Sequence, residues 1–170
     1  TLVVGCTIAG LDRMFPPDLS RLDAMSTEIV AADGSTLRLF TAADGRWRLP
    51  ADMATIDPLL VDMLLAREDR RFFHHPGVDP LAIARALSQA AGERRIVSGA
   101  STITMQTVRL LEPRDRTLGA KLLEMARAIQ LEWHFDKREI LAIYLAPAAY
   151  GGNLEGARAA SLFWFGHEPR

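Results

Sequence analysis

Apolar residues between positions 57 and 165 recur mostly at the three- and four-residue spacings of amphipathic helices. Asp57-Pro58 and Asp79-Pro80 each place a capping acid before a first-turn proline, so a helix is predicted from each point. The first helix ends near Glu68, and the second covers residues 81–91. The first carries an apolar stripe, formed by Leu59, Leu60, Met63 and Leu64.

Four further helices are predicted downstream. Ser101 caps one that ends near Leu111, and residues 117–135 form a long one. Asp136 and Glu139 make a capping box for the next, and a turn at residues 151–153 precedes the last, which ends at Trp164. The long helix shows an apolar stripe, formed by Leu118, Leu122, Met125, Ile129 and Trp133. We expect this helix to face the core, together with the aromatic residues Trp133, Phe163, Trp164 and Phe165.

Residues 27–49 follow a different pattern. Three short runs with strand character, 27–31, 37–41 and 47–49, are separated by Asp33-Gly34 and Asp44-Gly45, and Asp-Gly between such runs is a hairpin signal. The sequence therefore predicts a mainly α fold with a small N-terminal β meander.

Size and composition fit one globular domain. The chain has 170 residues, 49% hydrophobic and 24% charged, and its net charge is 20 minus 21, or −1. Nucleic acid is disfavoured as a partner because its binding depends on clustered cations. Cys6 is the single cysteine, so no internal disulfide forms. His74 and His75 lack further His or Cys at zinc-like spacing, which favours a packing or capping role and no metal.

The N-terminal segment, residues 1–26, leaves two interpretations open. Its apolar part, residues 1–10, is shorter than the roughly 20 residues that cross a bilayer. It also lacks the basic leader of a signal peptide. The segment is either an ordinary buried piece or the end of a membrane anchor.

Glu68 and Asp69 are the first candidate for chemistry. Adjacent helical residues point about 100° apart, so the two carboxylates serve different purposes. Glu68 is flanked by apolar residues and is suited to act as a general base, whereas Asp69 is suited to pair with another group. The alternative is a solvated helix end.

The second candidate is an anion site. The helix that starts at Ser101 offers free N–H groups, hydroxyls from Ser101 and Thr102, and Gln106 and Arg109 further along. The alternative is an ordinary capped helix. Nearby lies a third candidate, in which Lys121, with Arg116 and Arg109, would neutralise a pyrophosphate and Glu124 would orient these cations or a metal ion. For Lys121 and Glu124, spacing alone favours a solvated ion pair instead.

Four segments resemble, in order, the leading motifs of glycosyltransferase family 51. They are EDRRFFHHPGVD, GASTITMQTVR, RTLGAKLLE and KREILAIYLAPAAYGGNLEGARAASLFWFG. The resemblance extends from about residue 47 to residue 169. The family comprises peptidoglycan polymerases, found as monofunctional transglycosylases and in class A penicillin-binding proteins. The resemblance implies a lysozyme-like helical domain on the outer, periplasmic face of a bacterial cytoplasmic membrane.

The implied activity is the polymerisation of lipid II into glycan strands. Glu68 matches the general base, which deprotonates the 4-hydroxyl of the acceptor sugar; that oxygen attacks the growing chain with inversion and expels undecaprenyl pyrophosphate. Glu124 matches a second catalytic carboxylate. The implied substrate-binding residues are Asp69, Phe72, Ser101, Thr102, Gln106, Arg109, Arg116 and Lys121. No resident cofactor is implied, and a divalent cation, Mg²⁺ or Mn²⁺, at the pyrophosphate is left open.

The resemblance also implies a layout and partners. Residues 1–26 would be the membrane-proximal end of an anchor and residues 27–170 the glycosyltransferase domain, truncated at its C-terminus. Partners would be lipid II, the growing glycan strand, membrane lipid and cell-wall synthesis proteins. Residues 81–99 would form a mobile lobe near the membrane, with four side chains available to acyl chains: Leu81, Ile83, Leu87 and Ile96.

The chain departs from the family pattern at four positions, which are Met105, Arg109, Ala120 and Ala146 in place of Gln, Lys, Arg and Asn. Arginine at 109 keeps the charge but is a planar fork rather than a point charge. None of the departures touches Glu68. Two alternatives stay open: a lytic muramidase of similar fold, and a module that binds lipid-linked precursors without turnover.

Overall fold

The computed structural model describes residues 12–93 and 100–170, except for the side chains of Leu87 and residues 90–93. Its α-helices are α1 (Ser20–Asp23), α2 (Pro58–Glu68), α3 (Pro80–Glu93), α4 (Ile103–Leu111), α5 (Leu118–His134), α6 (Lys137–Leu145) and α7 (Ala157–Phe165). A 3₁₀ turn covers Phe72–His74, and the strands are β1 (Thr27–Val30), β2 (Thr36–Phe40), β3 (Trp47–Arg48) and β4 (Leu154–Glu155). The predicted mainly α fold is confirmed.

Helix starts follow their local capping residues. Asp57 accepts a hydrogen bond from the backbone of Leu59, and Asp136 and Glu139 form the predicted capping box. Two starts differ from the prediction. The side chain of Thr102, not Ser101, caps α4, and α7 begins after Gly156 rather than after residue 153.

The predicted three-stranded meander is wrong. β1 and β2 form an antiparallel hairpin, but β3 pairs in parallel with β4, with Arg48 opposite Glu155. The Arg48 side chain is fully buried, and its Nε donates to Glu155 Oε2 at 2.7 Å. This buried ion pair spans 107 residues of sequence, so the local alternation of strands cannot reveal it.

Helix α4 lies at the centre of the domain and packs on both α5 and α6. The main core cluster includes Phe72, Ile103, Met105, Leu131 and Ile140, each at most 1% exposed. Full burial of such a side chain stabilises the fold by about 1.5–3 kcal/mol. The first turn of α4 is therefore held firmly, and it is this turn that borders the candidate site.

The predicted apolar stripe of α5 does not face the core. Leu118, Leu122, Ile129 and Trp133 are exposed, at 88%, 68%, 37% and 56%. The buried positions of α5 are Glu124, Ala128 and Leu131, and Met125 is the one stripe residue that packs against the main cluster.

Three aromatic residues that were predicted in the core, Phe163, Trp164 and Phe165, are exposed too, and so are Leu59 and Met63 of the apolar stripe on α2. The helical spacing of apolar residues identifies an apolar face, but it does not tell which part of the protein packs against that face.

The described ranges contain no helix that is long and apolar enough to span a membrane. Residues 1–11, which carry the anchor interpretation, lie outside them, as do residues 94–99 with Ile96, and nothing is described of the Leu87 side chain. Leu81 is 53% exposed, which suits contact with an acyl chain. Ile83 packs against the main core, so its predicted lipid contact is wrong.

Candidate functional site

Glu68 ends helix α2 with its side chain one-third exposed, at 33%. Its Oε2 accepts a hydrogen bond from Gln106 Nε2 at 3.1 Å, and Arg67 Nε lies 3.4 Å from its Oε1. Glu68 lines a cavity of about 130 Å³ together with Ser101 and Thr102 at the start of α4. Glu68, the predicted base, therefore lines the same cavity as the predicted helix start at Ser101.

Asp69 points into the protein instead. Its side chain is 4% exposed, and Oδ2 accepts the Ile103 backbone N–H at 3.0 Å. His75 Nε2 lies 3.0 Å from the same oxygen. A carboxylate at a helix N-terminus stabilises the helix, because the first N–H groups carry partial positive charge. Asp69 therefore fixes the start of α4 against the motif that carries Glu68.

Phe72 and Thr102 also hold supporting positions. Phe72 is 1% exposed, with the Lys137 ammonium 4.3 Å above its ring centroid. The Thr102 hydroxyl donates to the Gly77 carbonyl at 2.5 Å and accepts from the Met105 N–H at 3.1 Å. All three side chains thus make packing or capping contacts, and the binding of substrate by Asp69, Phe72 and Thr102 stays a prediction.

Glu124 lies at the centre of a group of cations. Its side chain is 11% exposed, and Oε1 accepts from Arg109 Nη2 at 2.8 Å and from Lys121 Nζ at 3.0 Å. Lys121 Nζ also donates to Ser101 Oγ at 2.7 Å. The ion pair of Lys121 and Glu124 that spacing predicted is present, but it is not a solvated pair, because Glu124 lies mostly buried and also binds Arg109. Two cations share one carboxylate here, which leaves one positive charge in excess beside the start of α4.

Burial alone would raise the pKa of Glu124, but hydrogen bonds from Arg109 and Lys121 outweigh it and hold that pKa below its ordinary value. The hydrogen bond to Glu124 raises the pKa of Arg109 in turn. Glu124 therefore stays ionised near neutral pH. In this arrangement it positions two cations rather than exchanging protons.

Arg116 does not join this group. It is exposed in the connection between α4 and α5, and no hydrogen bond or ion pair in the described ranges includes it. Its predicted place at the pyrophosphate is not supported by the geometry.

The donor set does not fit a preorganised divalent cation. Glu124 is the only carboxylate in the Ser101–Lys121–Arg109 group, and both its oxygens accept hydrogen bonds from cations. Over the described ranges, no three His, Cys, Asp or Glu side chains are grouped as a metal would require.

Tyr144 on α6 lies beside the site, although its position could not be predicted from the motifs. Its hydroxyl lies 3.5 Å from Gln106 Oε1, and burial together with the charge of Glu68 raises its pKa to about 12. Tyr144, Gln106 and Arg109 line a second cavity of about 220 Å³. Gln106 therefore links the Glu68 carboxylate to the cavity that Arg109 borders. The available signal was a tyrosine within the apolar run of residues 140–145 in α6.

Comparisons with known proteins show which family the chain resembles. A family model described as "Transglycosylase" matches residues 33–170. Penicillin-binding protein 1C of Escherichia coli is 44% identical over 160 residues, which cover 94% of this chain and 21% of that protein. The segments VRLLEPRDRT and IQLEWHFDKREIL predict a likeness to that protein, and the identity over most of the chain confirms the likeness.

Two further relatives carry the name penicillin-binding protein 1A. The one from Aquifex aeolicus is 37% identical over 92% of this chain and 20% of its own length. The one from Escherichia coli is 36% identical over 94% of this chain and 19% of its own length. The chain thus spans about a fifth of the length of these curated relatives. The mainly α structure with a few short strands is consistent with the lysozyme-like transglycosylase fold.

Proposed function

Because this chain belongs to the transglycosylase family, we propose that it is a peptidoglycan glycosyltransferase that polymerises lipid II into glycan strands. One observation carries the proposal. A partly exposed carboxylate, Glu68, shares a cavity with Ser101, and Ser101 is bonded to Lys121 of the cation group. The chemistry needs both a base for an incoming hydroxyl and positive charge for a departing diphosphate.

In the proposed reaction, the Glu68 carboxylate takes the proton from the 4-hydroxyl of the acceptor sugar. The resulting oxygen attacks the anomeric carbon of the growing chain from the face opposite the leaving group. A carbon–oxygen bond forms there as the bond to the diphosphate oxygen breaks, and undecaprenyl pyrophosphate leaves with the electron pair. The configuration at the anomeric carbon is inverted.

The leaving diphosphate is assigned to Ser101, Lys121 and Arg109. Lys121 and Arg109 are held in place by Glu124, so little reorganisation is needed when charge develops on the leaving oxygen. Gln106 orients the base through its hydrogen bond to Glu68. The proposed step needs no metal ion, because hydrogen bonds from Arg109 and Lys121 already occupy both oxygens of Glu124.

The nature of the substrate indicates where in the cell the domain acts. Lipid II is held in a membrane, so we place this domain on the outer face of the cytoplasmic membrane, near other cell-wall synthesis proteins. The 53% exposure of Leu81 supports contact with lipid at that side of the domain.

A lytic muramidase is the main rival. Cleavage of a neutral glycan requires a carboxylic acid to protonate the leaving oxygen, but no cations for a diphosphate. The Arg109–Glu124–Lys121–Ser101 group therefore favours synthesis over cleavage.

A paired assay separates these functions. The protein is incubated with lipid II and, separately, with purified cell-wall sacculi. We expect glycan chains that lengthen with time and no released muropeptides. Muropeptides without chain growth would support the muramidase, and lipid II binding with neither product would support a non-catalytic binding module.

A further inference from the structure

Lys137, the first residue of α6, has a mostly buried ammonium group that the proposed reaction does not use. Its side chain is 19% exposed, and Nζ donates to Glu132 Oε1 at 2.6 Å and to the His75 carbonyl at 2.7 Å. The same Nζ lies 4.3 Å from the centroid of the Phe72 ring. Two of its three N–H donors are thus used by oxygens, while an aromatic face lies against the charge. These contacts fix the ammonium group in one position.

Glu132, the partner of Lys137, is itself bonded to helix α4. Its side chain is 9% exposed, and Oε1 also accepts the Thr104 hydroxyl at 2.6 Å. Thr104 is fully buried in the first turn of α4. The ion pair therefore connects the starts of α4 and α6 with the end of α5.

These bonds close a ring of contacts around residues 69–75, which directly follow Glu68. At one end of this segment, Asp69 accepts the backbone N–H of Ile103. The next residue, Thr104, reaches the other end of the segment through the buried ion pair. One turn of α4 is thus attached to the segment at both of its ends.

The ion pair of Lys137 and Glu132 is better suited to fix a position than to stabilise the fold. A buried ion pair is a weak source of net stability, because both charges lose their hydration. What this pair supplies is a fixed register between residues 69–75 and α4. That register matters for Glu68, because Gln106 on the same helix donates to its carboxylate at 3.1 Å.

We propose that Lys137 is a positioning residue for the proposed base. It holds residues 69–75 against α4, and it thereby keeps the Glu68 carboxylate directed at the acceptor hydroxyl. Among the described residues that line the two cavities of the site, Lys137 is absent, so it acts only through Glu68. This inference rests on the proposed function and adds a residue outside the site to it.

The test is steady-state glycan synthesis from lipid II by the double variant Glu132→Gln/Lys137→Met. These substitutions keep the approximate size of both side chains and remove both charges together, so that no buried charge loses its partner. We expect kcat to fall about tenfold and the KM for lipid II to change less than about threefold, because misplacement acts on the reacting geometry. Lys137→Arg, which keeps the charge, should retain a higher kcat than the double variant. A kcat equal to that of the parent protein in the double variant would overturn the inference.

Combination with Gln106→Leu separates positioning from a general structural role. Rates are measured where circular dichroism shows every protein to be fully folded. If both changes act through the orientation of Glu68, kcat of the triple variant should fall about tenfold to thirtyfold, well short of the roughly hundredfold product of independent effects. A loss that reaches this product would show that Lys137 acts independently of the base, and it would overturn the inference.

Arg138→Met is the matched control, because Arg138 is exposed and follows Lys137 on the same turn of α6. It should leave kcat and KM unchanged, and an equal loss of kcat in this variant would overturn the inference.

If the double variant does not fold, Thr104→Val replaces it, since this change breaks the bond to Glu132 with little change in volume. We then expect kcat to fall about threefold at an unchanged KM, and a kcat equal to that of the parent protein would overturn the inference. Absence of glycan synthesis by the parent protein would instead reject the proposed function, and this inference with it.

Discussion

Gln106 donates a hydrogen bond to the Glu68 carboxylate at 3.1 Å, and this contact joins the last turn of α2 to the middle of α4. The same side chain accepts from the Tyr144 hydroxyl at 3.5 Å. The two contacts fix opposite ends of the Gln106 amide. The orientation of the proposed base therefore depends on Gln106.

Replacing Gln106 with leucine removes that orienting donor while keeping a similar volume. We expect kcat for glycan synthesis to fall about tenfold and the KM for lipid II to change less than about threefold, because positioning acts mainly on the reacting geometry. Initial rates measured at varied lipid II concentrations give both constants. A kcat equal to that of the parent protein would show that Gln106 does not position the base.

Arg109→Ala removes one of the two cations held by Glu124. We expect the Kd for undecaprenyl pyrophosphate to rise about tenfold, equivalent to about 1.4 kcal/mol. Arg138→Ala is the control, since Arg138 is exposed on α6 and has no described ion pair. Titration calorimetry compares the three proteins. Equal affinity in Arg109→Ala and the parent would remove Arg109 from the site.

Gly77 fixes the motif of Glu68 against α5. Its φ is +86°, and a Cβ there would lie 2.6 Å from the Ala128 carbonyl oxygen. Gly34 has a similar φ of +83° but open space around it. Both alanine variants incur left-handed strain of about 1–2 kcal/mol, and only Gly77→Ala adds a clash with backbone.

We therefore expect Gly77→Ala to lower the free energy of unfolding by about 2 kcal/mol more than Gly34→Ala. Urea denaturation measures both. Equal losses would mean that α5 shifts without cost, and the close contact would not constrain the motif.

The pKa of Glu124 predicts a pH dependence. Because its folded-state pKa lies below the ordinary value of 4.5, the ionised carboxylate stabilises the fold. That contribution is complete above the ordinary pKa and is lost as the pH falls through the lower, folded-state value. The stability difference between the parent and Glu124→Gln should therefore be largest near neutral pH and shrink below pH 4.5.

Urea denaturation of both proteins at neutral pH and at about pH 3 tests this, with Asp62→Asn, at an exposed acid on α2, as control. A difference that does not change with pH would contradict the role given to Glu124.

Features set by local chemistry were predictable from sequence. The caps at Asp57 and Asp136 depend on residues within one turn, and the helices begin where the caps indicate. Long-range contacts were not predictable in this way. In the sequence, nothing distinguishes Arg48 and Glu155 from other charged residues. In the structure, their buried ion pair holds β3 against β4.

The site shows the same division. The helix start at residues 101–102 was predictable, because small hydroxyl residues precede an apolar run. The inward orientation of Glu124 was not, since the stripe of Leu118 and Leu122 indicated the opposite face of α5. What turns Glu124 inward is its pairing with Arg109 on another helix, and helical periodicity contains no information about such partners.

Glu68→Gln tests the central claim most directly, because it keeps the size and hydrogen-bonding capacity of the side chain but removes the base. Glycan synthesis and lipid II binding are measured on the same preparation, with Asp62→Asn as control. We expect synthesis to fall at least about a thousandfold while the Kd for lipid II stays within several-fold of the parent value. Near-parental glycan synthesis by Glu68→Gln would contradict the account.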